Sequence, residues 1–261
     1  MNKGTLEGTE EEKNLVCEIN KGYYDTFLYQ HFTTRKFIYC SRVTKNKFSK
    51  LSGRNVPPKS DIFLIRTKIS LDFFLKEKNF YLNEDDLDYL KKNEHSVEYI
   101  ENSGISIKRK DSKNYQIHKF TPSSFYKLFK DNFIGAGAMI YQKNERDFSK
   151  NKHIIENNWK IPEEKFYNFF KKKLDNSDLK INDKNSLQQI SSFCLKEIKT
   201  VINNSKTIKT SIFTGKDDFE EPFGASFSFI NGNLKEYEFS DFYVSQGSGR
   251  VNKPTIVIKP K

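Results

Sequence analysis

The spacing of apolar residues changes several times along this chain, and each change predicts an element. Leu15, Val16 and Ile19 recur at helical spacing and predict a helix over 9–30. Thr9 is placed to cap that helix, with Glu12 three residues later as in a capping box. Lys36–Tyr39 is a short apolar stretch, and 45–58 is basic, turn-rich and loop-like. Asp61–Ile69 and Gly104–Arg109 are short and apolar with β-branched residues, which predicts strands. Between them, 70–103 alternates Phe and Leu with charge and reads as an insertion.

Beyond residue 120 the period lengthens again. Phe120–Phe125 looks like a helix start, and Glu163–Leu174 and Ser186–Asn203 predict amphipathic helices. Thr210–Thr214, Ala225–Ile230, Glu236–Val244 and Thr255–Ile258 alternate and predict strands, with Asn231-Gly232 as a hairpin turn. No repeat or linker divides the chain. The expectation is therefore one α/β (α+β) domain over 1–261: a mixed central β-sheet flanked by helices, with a β-rich C-terminal region over 205–261.

Charge narrows the partners. Lys and Arg number 45 against 34 Asp and Glu, a formal net charge of +11. That excess favours a polyanion, nucleic acid ahead of an anionic membrane, with a Lys-rich and Asn-rich composition bias as the alternative account of the charge. Residues 1–20 hold five glutamates and no apolar signal core, and no apolar run is long enough for a membrane span. The three cysteines, Cys17, Cys40 and Cys194, form no CxxC pair. A cytoplasmic protein that does not enter a membrane is expected.

The candidate chemistry lies at the mouths of the two apolar strands. A carboxylate at one and an ammonium at the other are costly to bury unless paired or ligating. A divalent ion beside a scissile phosphate satisfies both, so the pattern reads as a metal-dependent nuclease. Asp61 is the central metal ligand in this reading. Lys108 orients the attacking water and offsets developing charge. Ser106 projects from the same strand face as Lys108, and the Ile107 carbonyl between them is a further ligand. Glu12 lies at the edge of the apolar face of its helix and is the candidate for another carboxylate ligand, with Glu11 beside it. The four histidines form no HxH, HxxxH or HExxH pair, and Gly135-Ala136-Gly137-Ala138 lacks the Lys-Ser/Thr ending of a phosphate loop.

Pro58-Lys59-Ser60-Asp61 before an apolar strand, followed by Ser106-Ile107-Lys108, resembles the PD-(D/E)xK nuclease superfamily, and within it the type II restriction endonucleases. The glutamate on an early helix also fits. So does Phe213-Thr214-Gly215 ahead of a β-rich region that closes on a Ser/Gly/basic segment. The resemblance implies a restriction-endonuclease-like core. It implies Mg²⁺-dependent cleavage of double-stranded DNA at a short site, with Mn²⁺ able to substitute. It also implies a cognate DNA methyltransferase as genetic partner and a monomeric or homodimeric enzyme. Asp61 would be the motif aspartate and Lys108 the motif lysine. Ser106 departs from the pattern, standing where Asp or Glu is usual, and serine is a poor ligand beside a carboxylate.

For DNA contact, Lys47 and Arg54 precede the first strand, and Arg109 and Lys110 follow the second. Gln246 and Arg250 sit in Ser245-Gln246-Gly247-Ser248-Gly249-Arg250, and are suited to reading adenine and guanine edges. Two alternatives are a repair or recombination nuclease with the same core and a non-catalytic basic DNA-binding protein.

Overall fold

The computed structural model describes residues 3–32, 37–43, 58–108, 116–140, 149–180, 183–216, 223–239, 241–247 and 255–261. The fold is mixed α/β and divides into two compact units. Unit 1 is Met1–Ser112 with Phe213–Phe239, and unit 2 is Lys113–Ile212 with Ser240–Lys261.

Unit 1 is built on a mixed sheet. Its strands are β1 (Ile38–Arg42), β2 (Ile62–Thr67), β3 (Val97–Tyr99), β4 (Ile105–Lys108), β6 (Phe227–Ile230) and β7 (Asn233–Glu236). They run β1-β2-β4-β6-β7, with β3 also on β2. All pairs are antiparallel except β4–β6, which is parallel. Alternation sorts the side chains to two faces. Ile38, Cys40, Ile62, Leu64, Ile105, Phe227 and Phe229 cluster with Leu15, Val16 and Ile19 of helix α1 (Lys3–Asn20). Tyr39, Phe63 and Ile65 cluster on the other face with Leu75, Leu87 and Leu90, from α3 (Asp72–Glu77) and α4 (Glu84–Lys92). Each such fully buried aliphatic side chain contributes about 1.5–3 kcal/mol.

The expected helix over 9–30 is two helices. α1 ends at Asn20, and α2 (Asp25–His31) starts beyond Gly22, whose φ of +91° suits glycine. α1 also begins at Lys3, so Thr9 lies inside the helix and caps nothing. The Asn20 amide replaces a helix cap with a clip to the sheet. It accepts from the Cys40 N–H at 2.7 Å and donates to the Cys40 and Phe80 carbonyls.

The 70–103 segment adds α3, α4 and a strand to the same sheet. β3 pairs with the far end of β2, and β4 pairs with its near end at Ile62–Ile105. Residues 97–108 therefore follow β2 along its length, interrupted at 100–104. Ser103 bridges the interruption: its hydroxyl accepts from the Leu64 N–H and donates to the Ile100 carbonyl.

Unit 2 is mostly helical. It holds α5 (Pro122–Phe129), α6 (Asn132–Met139), α7 (Ser149–His153) running into a π turn, α8 (Glu163–Lys173) and α9 (Lys184–Asn204). A three-stranded antiparallel sheet, ordered β5-β9-β8, completes it from β5 (His118–Phe120), β8 (Phe242–Gln246) and β9 (Ile256–Pro260). Gly135 and Gly137 let α6 approach its neighbours. A Cβ at Gly135 would press into the Trp159 ring, and one at Gly137 into Cys194 Sγ.

Two expectations for the C-terminal region are corrected. Thr210–Thr214 is the end of a helix, α10 (Lys206–Thr214). Glu236–Val244 is not one strand: β7 ends at Glu236 and β8 begins at Phe242. The strands of 205–261 also part company, β6 and β7 joining the sheet of unit 1 and β8 and β9 that of unit 2. The Asn231-Gly232 turn joins β6 to β7, with φ of +52° and +79°. Positive φ at both central residues is what a type I′ hairpin requires.

Candidate functional site

The end of β2 is held from both sides. Ser60 donates its N–H and its hydroxyl to the Phe223 carbonyl. Asp61 donates its N–H to Ile105 on β4 at 2.9 Å, and its carbonyl accepts from Val43 beyond β1 at 2.9 Å. Backbone bonds to opposite neighbours mean the chain bends at Asp61. Its carboxylate then reaches toward β4, where Oδ2 accepts the Ile107 N–H at 2.7 Å. That short distance marks a charge-assisted bond.

This bond orients the whole Ile107 peptide. In an extended strand a residue's N–H and C=O point to the same edge. Ile105 presents its carbonyl to Asp61 and Ile107 presents its N–H, so the odd residues of β4 turn their backbone groups toward β2. The Ile107 carbonyl is thereby aimed to the side on which Asp61 lies. Ser106 and Lys108 pair with Ser228 and Ile230 of β6. Ile105 packs into the α1 face, so alternation puts Ser106 and Lys108 on the opposite one. Ser106 is buried and Lys108 half-buried. The structure thus brings Asp61 against the backbone of Ile105 and Ile107, on the strand that also carries Ser106 and Lys108.

Glu12 comes from the α1 side. Its Oε2 takes both Nε and Nη2 of Arg42, at 2.7 and 2.6 Å. Both side chains are mostly buried, 21% exposed for Glu12 and 15% for Arg42. Burial lowers the Arg42 pKa, but a hydrogen bond with Tyr81 and the charge of Glu12 outweigh it, and the guanidinium is held more firmly protonated. Arg42 pairs in register with Ile62, so this ion pair flanks the strand end that carries Asp61. Arg42 gave no signal in the sequence, being a single arginine at the end of a short apolar run.

Among the described residues, no three His, Cys, Asp or Glu side chains converge as a ready ligand set. The oxygens that Asp61 and the Ile107 carbonyl offer are of the hard kind that Mg²⁺ accepts, and Mg²⁺ keeps several waters besides its protein ligands.

The expected DNA contacts divide. Lys47, Arg54, Arg109, Lys110 and Arg250 lie outside the described residues. Gln246 is on β8 in unit 2, where its amide nitrogen donates to the Ala138 carbonyl at 2.8 Å and to Ser191 Oγ at 3.3 Å. Its donor group ties β8 to α6 and α9.

No protein-family model matches the chain, and a comparison with curated proteins finds no match. No helix among the described residues is long and apolar enough to cross a membrane.

Proposed function

We propose that the protein is a metal-dependent endonuclease of the PD-(D/E)xK kind, acting on double-stranded DNA as a type II restriction enzyme does. The observation that carries the reading is the short bond from Asp61 Oδ2 to the Ile107 N–H, with Lys108 one residue further along the same strand. A carboxylate against the backbone of a strand whose next residue is a lysine supports a site made of that carboxylate, a backbone carbonyl and an ammonium. It is the combination that a phosphodiester-cleaving site with one hard cation requires.

In this reading Asp61 and the Ile107 carbonyl hold Mg²⁺, whose chemistry is to acidify a bound water and to neutralise charge on the phosphate. Lys108 donates hydrogen bonds to the attacking water and to the phosphate oxygen that gains charge. Ser106 keeps the neutral, compact position where the resemblance would place a carboxylate. Glu12, already neutralised by Arg42, supports the strand end and stays out of the metal shell. The sheet and its flanking helices serve as the restriction-endonuclease-like core, and a cognate methyltransferase would protect the host's sites.

The test is incubation of unmethylated plasmid with the protein and Mg²⁺. Discrete fragments with a common end sequence support the reading. A smear would point to a nonspecific nuclease, and intact plasmid across divalent ions and pH would sink it.

A further inference from the structure

The net charge is not spread over the molecule. Unit 2 holds 23 Lys and Arg against 11 Asp and Glu, a net charge of +12, while unit 1 holds 22 against 23, a net charge of −1. The candidate catalytic residues lie in the neutral unit, and the excess that attracts a polyanion lies in the other. Within that unit, one helix face presents hydrogen-bonding side chains and a lysine. Helix α9 buries Leu187, Ile190, Cys194, Ile198 and Ile202 on one side. Its far side carries Asn185, Gln188, Ser192, Lys196 and Asn203, all exposed. These fall at helical spacing along one stripe, and about 27 Å separates its ends at 1.5 Å per residue. Glu197, the only carboxylate of the helix, sits half-buried outside the stripe.

We infer that this face of α9 is the surface with which the protein enters the major groove of duplex DNA. A helix about 10–12 Å across fits a groove about 12 Å wide. Asn and Gln offer a donor and an acceptor side by side, which matches the N6 and N7 edge of adenine, and Lys196 suits guanine or a phosphate. Gln189, on the same stripe, has its Oε1 engaged by Asn176 at 3.1 Å, and Lys199 lies over the Phe242 ring, so both are set aside. The choice of duplex DNA rests on the nuclease reading; the placement on α9 rests on the charge division and the stripe.

The experiment uses the full chain with EDTA, so that binding is measured without cleavage. Fluorescence anisotropy follows a 30-bp random-sequence duplex over a salt series, and rounds of selection from a random pool report preference. Lys196→Glu should weaken binding to the random duplex and reduce the salt slope by about one unit or more. Asn185→Ala with Gln188→Ala should leave random-duplex affinity near wild type. The enriched sequence should change, with selected sites bound about tenfold or more weakly. Lys76→Glu on α3 is the control and should alter neither. Wild-type affinity, slope and selection in every α9 variant would overturn the inference. So would a loss confined to anionic vesicles or single-stranded RNA. Binding that follows this pattern without cleavage when Mg²⁺ is restored would remove the nuclease reading and leave this one standing. Cleavage with unaltered α9 variants would do the reverse.

Discussion

The bond between Asp61 and Ile107 makes two substitutions at one position informative. Asparagine keeps a carbonyl oxygen at the same reach, so Asp61→Asn can still accept the Ile107 N–H; alanine cannot. The existing bond is 2.7 Å long and ends on a carboxylate. A bond to a charged group contributes about 1.5–3 kcal/mol, and an orphaned amide costs about 1–3 kcal/mol. Asp61 is half-buried, so water recovers part of the loss. Asp61→Ala should therefore lower the unfolding free energy by about 1–2 kcal/mol, and Asp61→Asn by well under about 1 kcal/mol. Cleavage should separate from stability. Both variants remove the carboxylate that the proposed function makes the metal ligand, a charge stabilisation that would be worth several kcal/mol, or about 10²-fold or more in rate at about 1.4 kcal/mol per decade. Urea unfolding measures the first quantity, and single-turnover plasmid cleavage over a Mg²⁺ series the second. Cleavage by Asp61→Asn within tenfold of wild type would refute Asp61 as metal anchor. Equal stability of the two variants would refute the structural half.

Other outcomes follow from neighbouring geometry. Lys108→Ala should reduce kcat by about 10² or more with the Mg²⁺ dependence unchanged, read from rates at saturating metal. Glu12→Gln should lower stability by about 1–3 kcal/mol because Arg42 loses a charged partner; a weakened Mg²⁺ dependence at a permissive temperature would instead return Glu12 to the metal shell. Gly137→Ala should cost about 1–3 kcal/mol in urea unfolding, because its Cβ meets Cys194 Sγ and comes within 2.7 Å of the Phe170 ring. Asp183 caps α9 and accepts from Ser186, which holds its carboxyl below the ordinary value of 3.8. Its contribution is present above that value and lost as pH falls through the lower folded-state value, so the Tm deficit of Asp183→Ala should narrow below pH 3.8.

The parts of the site written in short, doubly buried strands were legible in the sequence. Asp61–Ile69 and Gly104–Arg109 are apolar runs too short for helices, and the hairpin at Asn231-Gly232 declares itself by its turn residues. Thr210–Thr214 misleads for the complementary reason. Its β-branched and aromatic residues read alone suggest a strand, while Ile208 and Ile212, four apart, share one face of a helix that starts at Lys206. The parallel pairing of β4 with β6 left no local trace, because register between segments more than a hundred residues apart is set by the assembled core. The Glu12–Arg42 pair was hidden likewise, since an ion pair between a helix and a strand has no characteristic spacing.

That parallel pairing also governs when the site can exist. Lys108 is synthesised early, yet β6, the strand that completes its side of the sheet, begins at Phe227, after residues 113–212 of unit 2 have been made and before its strands β8 and β9. At about 5–20 residues per second, the β4 edge waits several seconds or more on the ribosome for its neighbour. During that interval an apolar strand end stands open, a template for pairing with another chain. A fragment ending at Ser112 should accordingly be insoluble, and adding the 213–239 segment in trans should rescue it. The edge that carries the residues read as catalytic is thus closed by a strand made more than a hundred residues later, so the order of synthesis itself delays the site.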